Sequence, residues 1–286
     1  MNTLFGIVIS APEQLERVLE KLQADVPLHE SMSGLGIGYY AGDQALIMKR
    51  PPSSYARTDK DYLTNELSKI SSPIILAHND YYYKEIGPRR SPPFRFNNWL
   101  FDYRGDFEKT EHLKQLAETL PDFLKREIIV GSDNEIFFSL LLKQLYEAHL
   151  LENNFVSPSI LIAELKKVLL FLASDFADMN LKERKETFIL TNGNDVIVYS
   201  QNQKTGYRML EGGSDVSHLS ATAKGFDSIR QGELPSVKVI FIVSELSSIT
   251  GQWQAISSYS FFTISQNLQI SQSMLDIENI PFSHVL

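Results

Sequence analysis

The chain has 286 residues, of which 43% are hydrophobic, and its formal net charge is −8. This length and composition allow a sizeable buried core, whereas the acidic balance argues against nucleic acid and anionic membranes as partners, because no basic field is available to gather phosphate groups. The chain contains no cysteine, which excludes disulfides, thiolate metal sites and thiol nucleophiles.

The first part of the chain is predicted to mix strands and helices. Residues 3–10 form a compact run of β-branched and aromatic side chains, which indicates a buried strand, and Pro12 opens a helix with apolar residues at helical spacing. The Gly42-Asp43 pair is a hairpin turn signal. In chain order we predict a strand over 3–10, a helix over 12–24, hairpin strands over 36–41 and 45–49, a helix over 58–70 and a strand over 74–78.

The rest of the chain begins with a predicted loop, because residues 84–98 are rich in Pro, Arg and Asn without periodicity. Strands and paired helices then follow without strict βαβ alternation, which predicts an α+β fold of sheets layered with helices. These elements are a strand over 99–101, helices over 108–120, 133–149 and 158–177, hairpin strands over 187–190 and 195–199, and strands over 237–243 and 259–263.

The sequence lacks the signals of a second domain, of a membrane-spanning segment and of a signal peptide. It has no internal repeat, low-complexity tract or linker, so we expect a single domain over residues 1–286. No apolar run approaches the roughly 20 residues of a membrane-spanning helix, and residues 1–10 lack the basic region of a signal peptide. We therefore expect a cytoplasmic protein with no membrane partner. The histidines show no metal-ligand spacing, so we expect no metal and no cofactor.

Six segments relate this chain to a known family. They are 1–6 (MNTLFG), 33–40 (SGLGIGYY), 77–80 (AHND), 92–94 with 99–105 (PPF and WLFDYRG), 131–135 (GSDNE), and 244–245 with Trp253. Through them the sequence resembles the stand-alone class II glutamine amidotransferases, a branch of the N-terminal nucleophile hydrolases. The family's motifs include Met-Cys-Arg-Leu-Phe-Gly, Ala-His-x-Arg, Trp-Leu-Phe-Ala-His-Asn-Gly and Gly-x-Asp-Ser-Glu. The resemblance implies a four-layer αββα sandwich of antiparallel sheets flanked by helices.

The resemblance places Asn2 at the position of the family's nucleophile. In the family, the processed N-terminal cysteine attacks the side-chain carbonyl of glutamine, and its own α-amine accepts the proton. A carboxamide offers neither a thiol nor a hydroxyl for such an attack. A side chain of this size at the second position is also expected to leave Met1 in place. The resemblance therefore implies that this chain has lost its nucleophile.

Two further positions depart from the family pattern. The arginine that binds the substrate carboxylate is replaced by Asp80, which would repel that group, and the asparagine that stabilises the oxyanion is replaced by Arg104. Gly105, which offers a backbone N–H, and Asp133, which binds the substrate amine in the family, are retained, and His78 is the histidine expected to reach the pocket. Losing one oxyanion donor costs on the order of a hundred- to a thousand-fold in turnover.

The two replacements suggest a charge pair in the old pocket. We hypothesise that Arg104 pairs with Asp80, with Asp133 or with both, because each partner would offset the desolvation of the other. Arg104 would then fill the space in which the backbone groups of glutamine bind in the family. The alternative is that one of these side chains turns towards solvent.

Three interpretations of function remain open. The first is a catalytically inactive protein of the amidotransferase fold that acts as a binding or regulatory subunit, with a synthetase or a catalytically intact relative as its partner. The second is an active amidotransferase or amide hydrolase in which trimming exposes Thr3 as a relocated nucleophile. Alternation along a strand argues against it, because Thr3 should point away from the old site. The third is a small-molecule sensor with a remodelled pocket around Asp133 and Gly105.

Overall fold

The computed structural model describes residues 3–22, 35–50, 65–79, 92–105, 110–129, 131–153, 155–175, 186–201, 204–212, 237–244 and 253–275. Its strands are β1 (Thr3–Ile9), β2 (Leu35–Ala41), β3 (Gln44–Arg50), β4 (Ile74–Asn79), β5 (Phe94–Phe96), β6 (Trp99–Arg104), β7 (Glu186–Thr191), β8 (Val196–Gln201), β9 (Gly206–Glu211), β10 (Lys238–Val243), β11 (Gln254–Ala255), β12 (Ser260–Ile264) and β13 (Ile270–Met274). A 3-10 turn (Pro12–Gln14) precedes α1 (Leu15–Leu22), and the later helices are α2 (Thr110–Ala117), α3 (Asp122–Lys125), α4 (Asp133–Glu147) and α5 (Pro158–Asp175).

These strands form two antiparallel sheets. The first sheet has seven strands in the order β11-β9-β10-β1-β4-β2-β3, and the second has six in the order β13-β12-β8-β7-β6-β5. β1 lies inside the first sheet, between β10 and β4. β6 lies inside the second sheet, between β5 and β7. β1 is therefore held on both sides by paired backbone.

Three hydrophobic cores lie between the layers. Successive residues along a strand point to opposite faces of its sheet, so they contribute to different cores. Leu4 and Val8 of β1 face the core between the sheets, whereas Phe5, Ile7 and Ile9 face the core under α1. The third core lies between the second sheet and α2 to α5 and is rich in aromatic rings. The result is the four-layer αββα sandwich of antiparallel sheets flanked by helices that the resemblance implies. Every residue of β1 is buried, as the apolar run at 3–10 indicates.

Most predicted elements are confirmed, with two kinds of correction. The predicted loop over 84–98 is wrong at Phe94–Phe96, which pair with Trp99–Phe101 as β5. A strand of three residues shows no periodicity, so only its partner reveals it. The sequence interpretation also missed α3, β9, β11 and β13. Most of the helix predicted over 58–70 lies outside the described residues. Among the described helices, none is both long and apolar enough to cross a bilayer.

Gly36 allows a close approach between β2 and the segment that precedes β5. A Cβ atom at Gly36 would overlap the carbonyl oxygen of Pro92 and the ring of Pro93. We expect Gly36→Ala to lower the free energy of unfolding by about 1–3 kcal/mol in urea titrations, because overpacking forces backbone shifts. Gly38→Ala is the matched control, since the nearest atoms to its Cβ would be side-chain atoms of Pro93 and Leu100 at 3.2 Å and beyond. Equal costs for the two variants would contradict this account.

Candidate functional site

The layer between the sheets becomes polar near the start of β1. The antiparallel register places Leu4 of β1 beside His78 of β4, His78 beside Gly36 of β2, and Gly36 beside Lys49 of β3. Asp102 of β6 reaches this row from the second sheet. In the resemblance, this is the end of the sandwich at which the family's nucleophile lies.

His78 and Asp102 form a buried bridge between the sheets. Nδ1 of His78 lies 2.7 Å from Oδ1 of Asp102, and the two residues are only 2% and 0% exposed. Burial raises the pKa of the Asp102 carboxyl, while the charge and hydrogen bond of His78 act in the opposite direction. Without a partner, a polar group at this depth would be strongly destabilising, so each residue makes burial of the other tolerable.

Lys49 extends this polar group to the edge of the sandwich. Its Nζ lies 5.2 Å from the centroid of the Phe94 ring, and its side chain is half-buried. Burial lowers the pKa of Lys49 to about 8, although the carboxylates of Glu135 and Asp102 oppose that shift. We refer to Lys49, His78, Asp102 and Glu135 as the edge cluster.

Glu135, at the start of α4, is the member of the edge cluster that comes from the helical layer. Ser132 caps the helix: its hydroxyl accepts a hydrogen bond from the Glu135 N–H, and the Glu135 carboxylate accepts one from the Ser132 N–H. Glu135 also accepts a hydrogen bond from the N–H of Ile129. Asp133 is half-buried in the first turn, where the helix dipole favours negative charge. A helix starting at Asp133 is as the sequence predicts.

Arg104 and Gly105 lie at the end of β6. Arg104 is half-buried and stands opposite Thr187 of β7 in the register. At Gly105 the hydroxyl of Tyr103 and the side chain of Glu186 approach so closely that a Cβ atom would overlap the hydroxyl. Gly105 is therefore required for packing against Tyr103, which is a structural reason for glycine separate from any backbone N–H donated to a ligand.

The described residues account for only part of the predicted site. His78, Arg104, Gly105 and Asp133 lie in the described strands and at the start of α4, whereas Asn2 and Asp80 lie outside the described residues. The pairing of Arg104 with Asp80 or Asp133 therefore stays a prediction. Over the ranges that the structure describes, no group of three His, Asp or Glu side chains is placed to hold a metal ion.

Sequence reasoning missed Asp102 and Lys49. Asp102 stands in the WLFDYRG segment where the family motif has alanine. An acidic residue within such an apolar strand is the one sequence signal that could have indicated a site at Asp102. Nothing local indicates its partner, because His78 belongs to the other sheet. In the sequence, Lys49 is only the last residue of a predicted strand.

Thr3 lies on the opposite face of β1 from the edge cluster. It alternates with Leu4, which faces the layer between the sheets, and it shares a face with Phe5 and Ile7. The residue is 3% exposed, and its Oγ1 has no hydrogen-bond partner among the described residues. The direction of the side chain is the one that alternation predicts. A base that could accept the proton of this hydroxyl is not in contact with it within the described part of the chain.

Comparison with known proteins identifies the fold. The sequence matches no protein-family profile, and no curated protein sequence matches it significantly. Solved structures do match: the chain has the fold of class II glutamine amidotransferase domains, which is of the N-terminal nucleophile hydrolase type. Sequence identity to these structures is low, so the similarity establishes the fold alone and does not establish the chemistry of the site.

Three of these structures illustrate the match. A glutamine aminotransferase class-II domain protein from Silicibacter pomeroyi has a TM-score of 0.57 and 11% identity, with 96% of this chain and 99% of that chain covered. A structure described as a predicted glutamine amidotransferase from Pseudomonas aeruginosa has a TM-score of 0.51 and 14% identity, with 94% of each chain covered. The glutamine phosphoribosylpyrophosphate amidotransferase from B. subtilis has a TM-score of 0.51 and 15% identity, and this chain spans 49% of its length.

Proposed function

We propose that this protein is a catalytically inactive member of the glutamine amidotransferase fold that acts as a binding or regulatory subunit. The observation that carries the proposal is the residue at the nucleophile position: Asn2 stands there in a chain with no cysteine. Acyl transfer from an amide needs an attacking atom and an acceptor for its proton within hydrogen-bonding reach. A carboxamide supplies no such attacking atom.

The hydroxyl groups at this end of the second sheet do not suggest a replacement nucleophile. Thr187 and Ser200 each lie 3.1 Å from the Oγ1 of Thr205, so these hydroxyls bond to one another. Nδ1 of His78 bonds to Asp102, and no serine or threonine hydroxyl among the described residues makes a hydrogen bond to the His78 ring. An activated serine or threonine requires a base in contact with its hydroxyl. The contacts therefore favour a structural role for these side chains.

The charges at the old pocket support the same proposal. By the resemblance, Asp80 corresponds to the arginine with which the family binds the negative carboxylate of glutamine, and Arg104 corresponds to the asparagine that stabilises the oxyanion. Both changes oppose binding of glutamine in the family's orientation. A protein that keeps the fold but rejects the substrate is suited to binding another molecule or another protein.

A covalent-adduct experiment tests the inactive half of the proposal. The purified protein is incubated with glutamine and analysed by intact mass and peptide mapping of residues 1–22. We expect no γ-glutamyl adduct on the amino-terminal peptide and no release of ammonia, because no activated nucleophile is present. An adduct on Thr3 that is absent from Thr3→Ala would overturn the proposal in favour of a relocated nucleophile.

The regulatory half needs a separate measurement. A catalytically intact amidotransferase or a synthetase from the same organism is titrated with this protein, and binding is followed by calorimetry together with turnover of the partner. We expect saturable binding and a change in the partner's kcat or KM. Saturable binding with no change in the partner's turnover would support a binding subunit and contradict a regulatory one. If neither class of partner bound, the proposal of a binding or regulatory subunit would be contradicted.

A further inference from the structure

The outer face of α5 carries a row of solvent-facing side chains that begins and ends with a large apolar residue. Ile160 is 50% exposed and Phe171 is 49% exposed. They are eleven residues apart in the sequence, which is close to three turns of an α-helix, so both side chains point in the same direction about 16 Å apart. Ala163, Glu164 and Lys167 lie between them on this face. We refer to these five residues as the α5 stripe.

The α5 stripe points away from the side of the helix that packs on the second sheet. Leu161 and Leu165 face that sheet and belong to the core between it and the helices. Two further residues enlarge the exposed apolar surface. Phe155, which precedes α5, is 88% exposed, and Met274, whose carbonyl accepts a hydrogen bond from Lys166, is 56% exposed. Large apolar side chains gathered on a surface mark an interaction site, so this face is suited to contact with another protein chain.

The two charges in the middle of the α5 stripe are held by contacts within the chain. Nζ of Lys167 lies 2.7 Å from Oε1 and 2.8 Å from Oε2 of Glu164, and Gln144 of α4 donates a hydrogen bond to Glu164. The Lys167 side chain is 61% exposed, whereas that of Glu164 is 14% exposed and lies along the border with α4. The α5 stripe therefore carries no net charge, although the net charge of −8 makes copies of the whole chain repel each other.

The order of residues in the α5 stripe is complementary to its own reverse. Glu164 follows Ile160 by four positions, and Lys167 precedes Phe171 by four positions. When two α5 helices pack antiparallel about a two-fold axis, Ile160 of each copy therefore meets Phe171 of the other. Glu164 then comes level with Lys167 of the second copy, where opposite charges attract. We propose that the α5 stripe binds the α5 stripe of a second copy of this chain, which gives a symmetric dimer.

This dimer is expected to be weak and to depend on protein concentration. Two helices alone bury an interface at the low end of the usual size range, and exposed ion pairs contribute little free energy. We expect a dissociation constant on the order of 10 μM, with the charges setting orientation more than affinity. The proposal does not rest on the proposed function, because α5 packs on the outer side of the second sheet, whereas His78 and Asp102 meet between the sheets.

Sedimentation equilibrium of the full chain tests the proposal. We expect the wild type to be mostly dimeric at about 100 μM, and Phe171→Ser to raise the dissociation constant about tenfold or more, because aromatic residues are frequent hot spots of interfaces. Ile129→Ser is the matched control, since Ile129 is 68% exposed and lies outside the α5 stripe, and it should leave the constant unchanged. The proposal is overturned if the wild type stays monomeric at about 300 μM or if the two variants have the same dissociation constant.

Charge exchange between copies separates a contact across the dimer from one within a single chain. Glu164→Lys and Lys167→Glu each bring like charges together, so each variant alone should dimerise more weakly than the wild type. Their equimolar mixture should associate more tightly than either, because two lysines on one chain then meet two glutamates on the other. The ion pair within each chain stays broken in the mixture, so it cannot explain such a recovery. A mixture that associates no more tightly than the separate variants would contradict the pairing.

The absence of cysteine from the chain allows a direct test of the antiparallel arrangement. Ile160→Cys and Phe171→Cys are oxidised separately and as an equimolar mixture, and cross-linked dimers are measured on non-reducing gels. We expect cross-linking mainly in the mixture, because positions 160 and 171 of different copies are adjacent, whereas two copies of one position are about 16 Å apart. Equal cross-linking in the separate and mixed samples would overturn the antiparallel dimer.

Discussion

His78→Ala is expected to lower the free energy of unfolding by about 3–5 kcal/mol, measured by urea titration near neutral pH. The substitution leaves Asp102 fully buried with its hydrogen-bonding partner removed. The second carboxylate oxygen has no hydrogen-bond partner among the described residues, so it cannot compensate through an existing contact. The cost is large because a buried acid must then remain charged without its closest side-chain partner or take up a proton.

Asp102→Ala is the matched comparison, and it places the family's own residue at this position. Its removal leaves the His78 ring as the buried polar group and no buried carboxylate, so we expect a smaller cost of about 1–3 kcal/mol. The double variant should cost less than the sum of the two single variants, because each single variant already breaks the same bridge. Additive costs would show that the two side chains do not depend on each other, and a cost below about 1 kcal/mol for His78→Ala would contradict a buried pair.

Restoring a cysteine alone is expected to restore little glutaminase activity. Asn2→Cys supplies a nucleophile and a small second residue that permits removal of Met1, but under the proposed function Asp80 and Arg104 would still oppose the substrate. The triple variant Asn2→Cys, Asp80→Arg, Arg104→Asn should release glutamate about a hundredfold or more faster than Asn2→Cys, since one oxyanion donor alone is worth that much. Glutamate is measured enzymatically over a range of glutamine concentrations.

The control for this series carries alanine at position 2 together with the substitutions at 80 and 104. It has the restored binding residues and no thiol, so we expect it to remain at background. If Asn2→Cys alone matched the triple variant, positions 80 and 104 would not contact the substrate. If the alanine control were active, the nucleophile would have to lie elsewhere in the chain.

The fold was predictable where local signals agree with one another. The run at 3–10 is rich in β-branched and aromatic residues, and Thr3–Ile9 becomes a buried central strand, while Gly42, at a φ of 59°, forms the hairpin turn that its sequence indicates. The pattern Ser132 to Glu135 begins a helix because both capping hydrogen bonds can form locally. The strand at Phe94–Phe96 was not predictable in this way, since it exists through pairing with β6.

The candidate site was predictable only in part, because its contacts join distant elements. The resemblance indicates His78, Gly105 and Asp133 through their motifs, and alternation indicates the direction of Thr3. The bridge from His78 to Asp102 depends on how the two sheets stack, which no local pattern encodes. Lys49 likewise gains its surroundings from β6 and α4 together.

Release of glutamate from glutamine by the unmodified protein is the most direct test of the central claim. The assay compares the wild-type chain with Thr3→Ala at saturating glutamine, against buffer without protein. With a carboxamide at position 2 and no cysteine in the chain, we predict no glutamate above the buffer control for either protein. Turnover by the wild-type chain that disappears in Thr3→Ala would contradict the account, because it would show a working nucleophile at the start of β1.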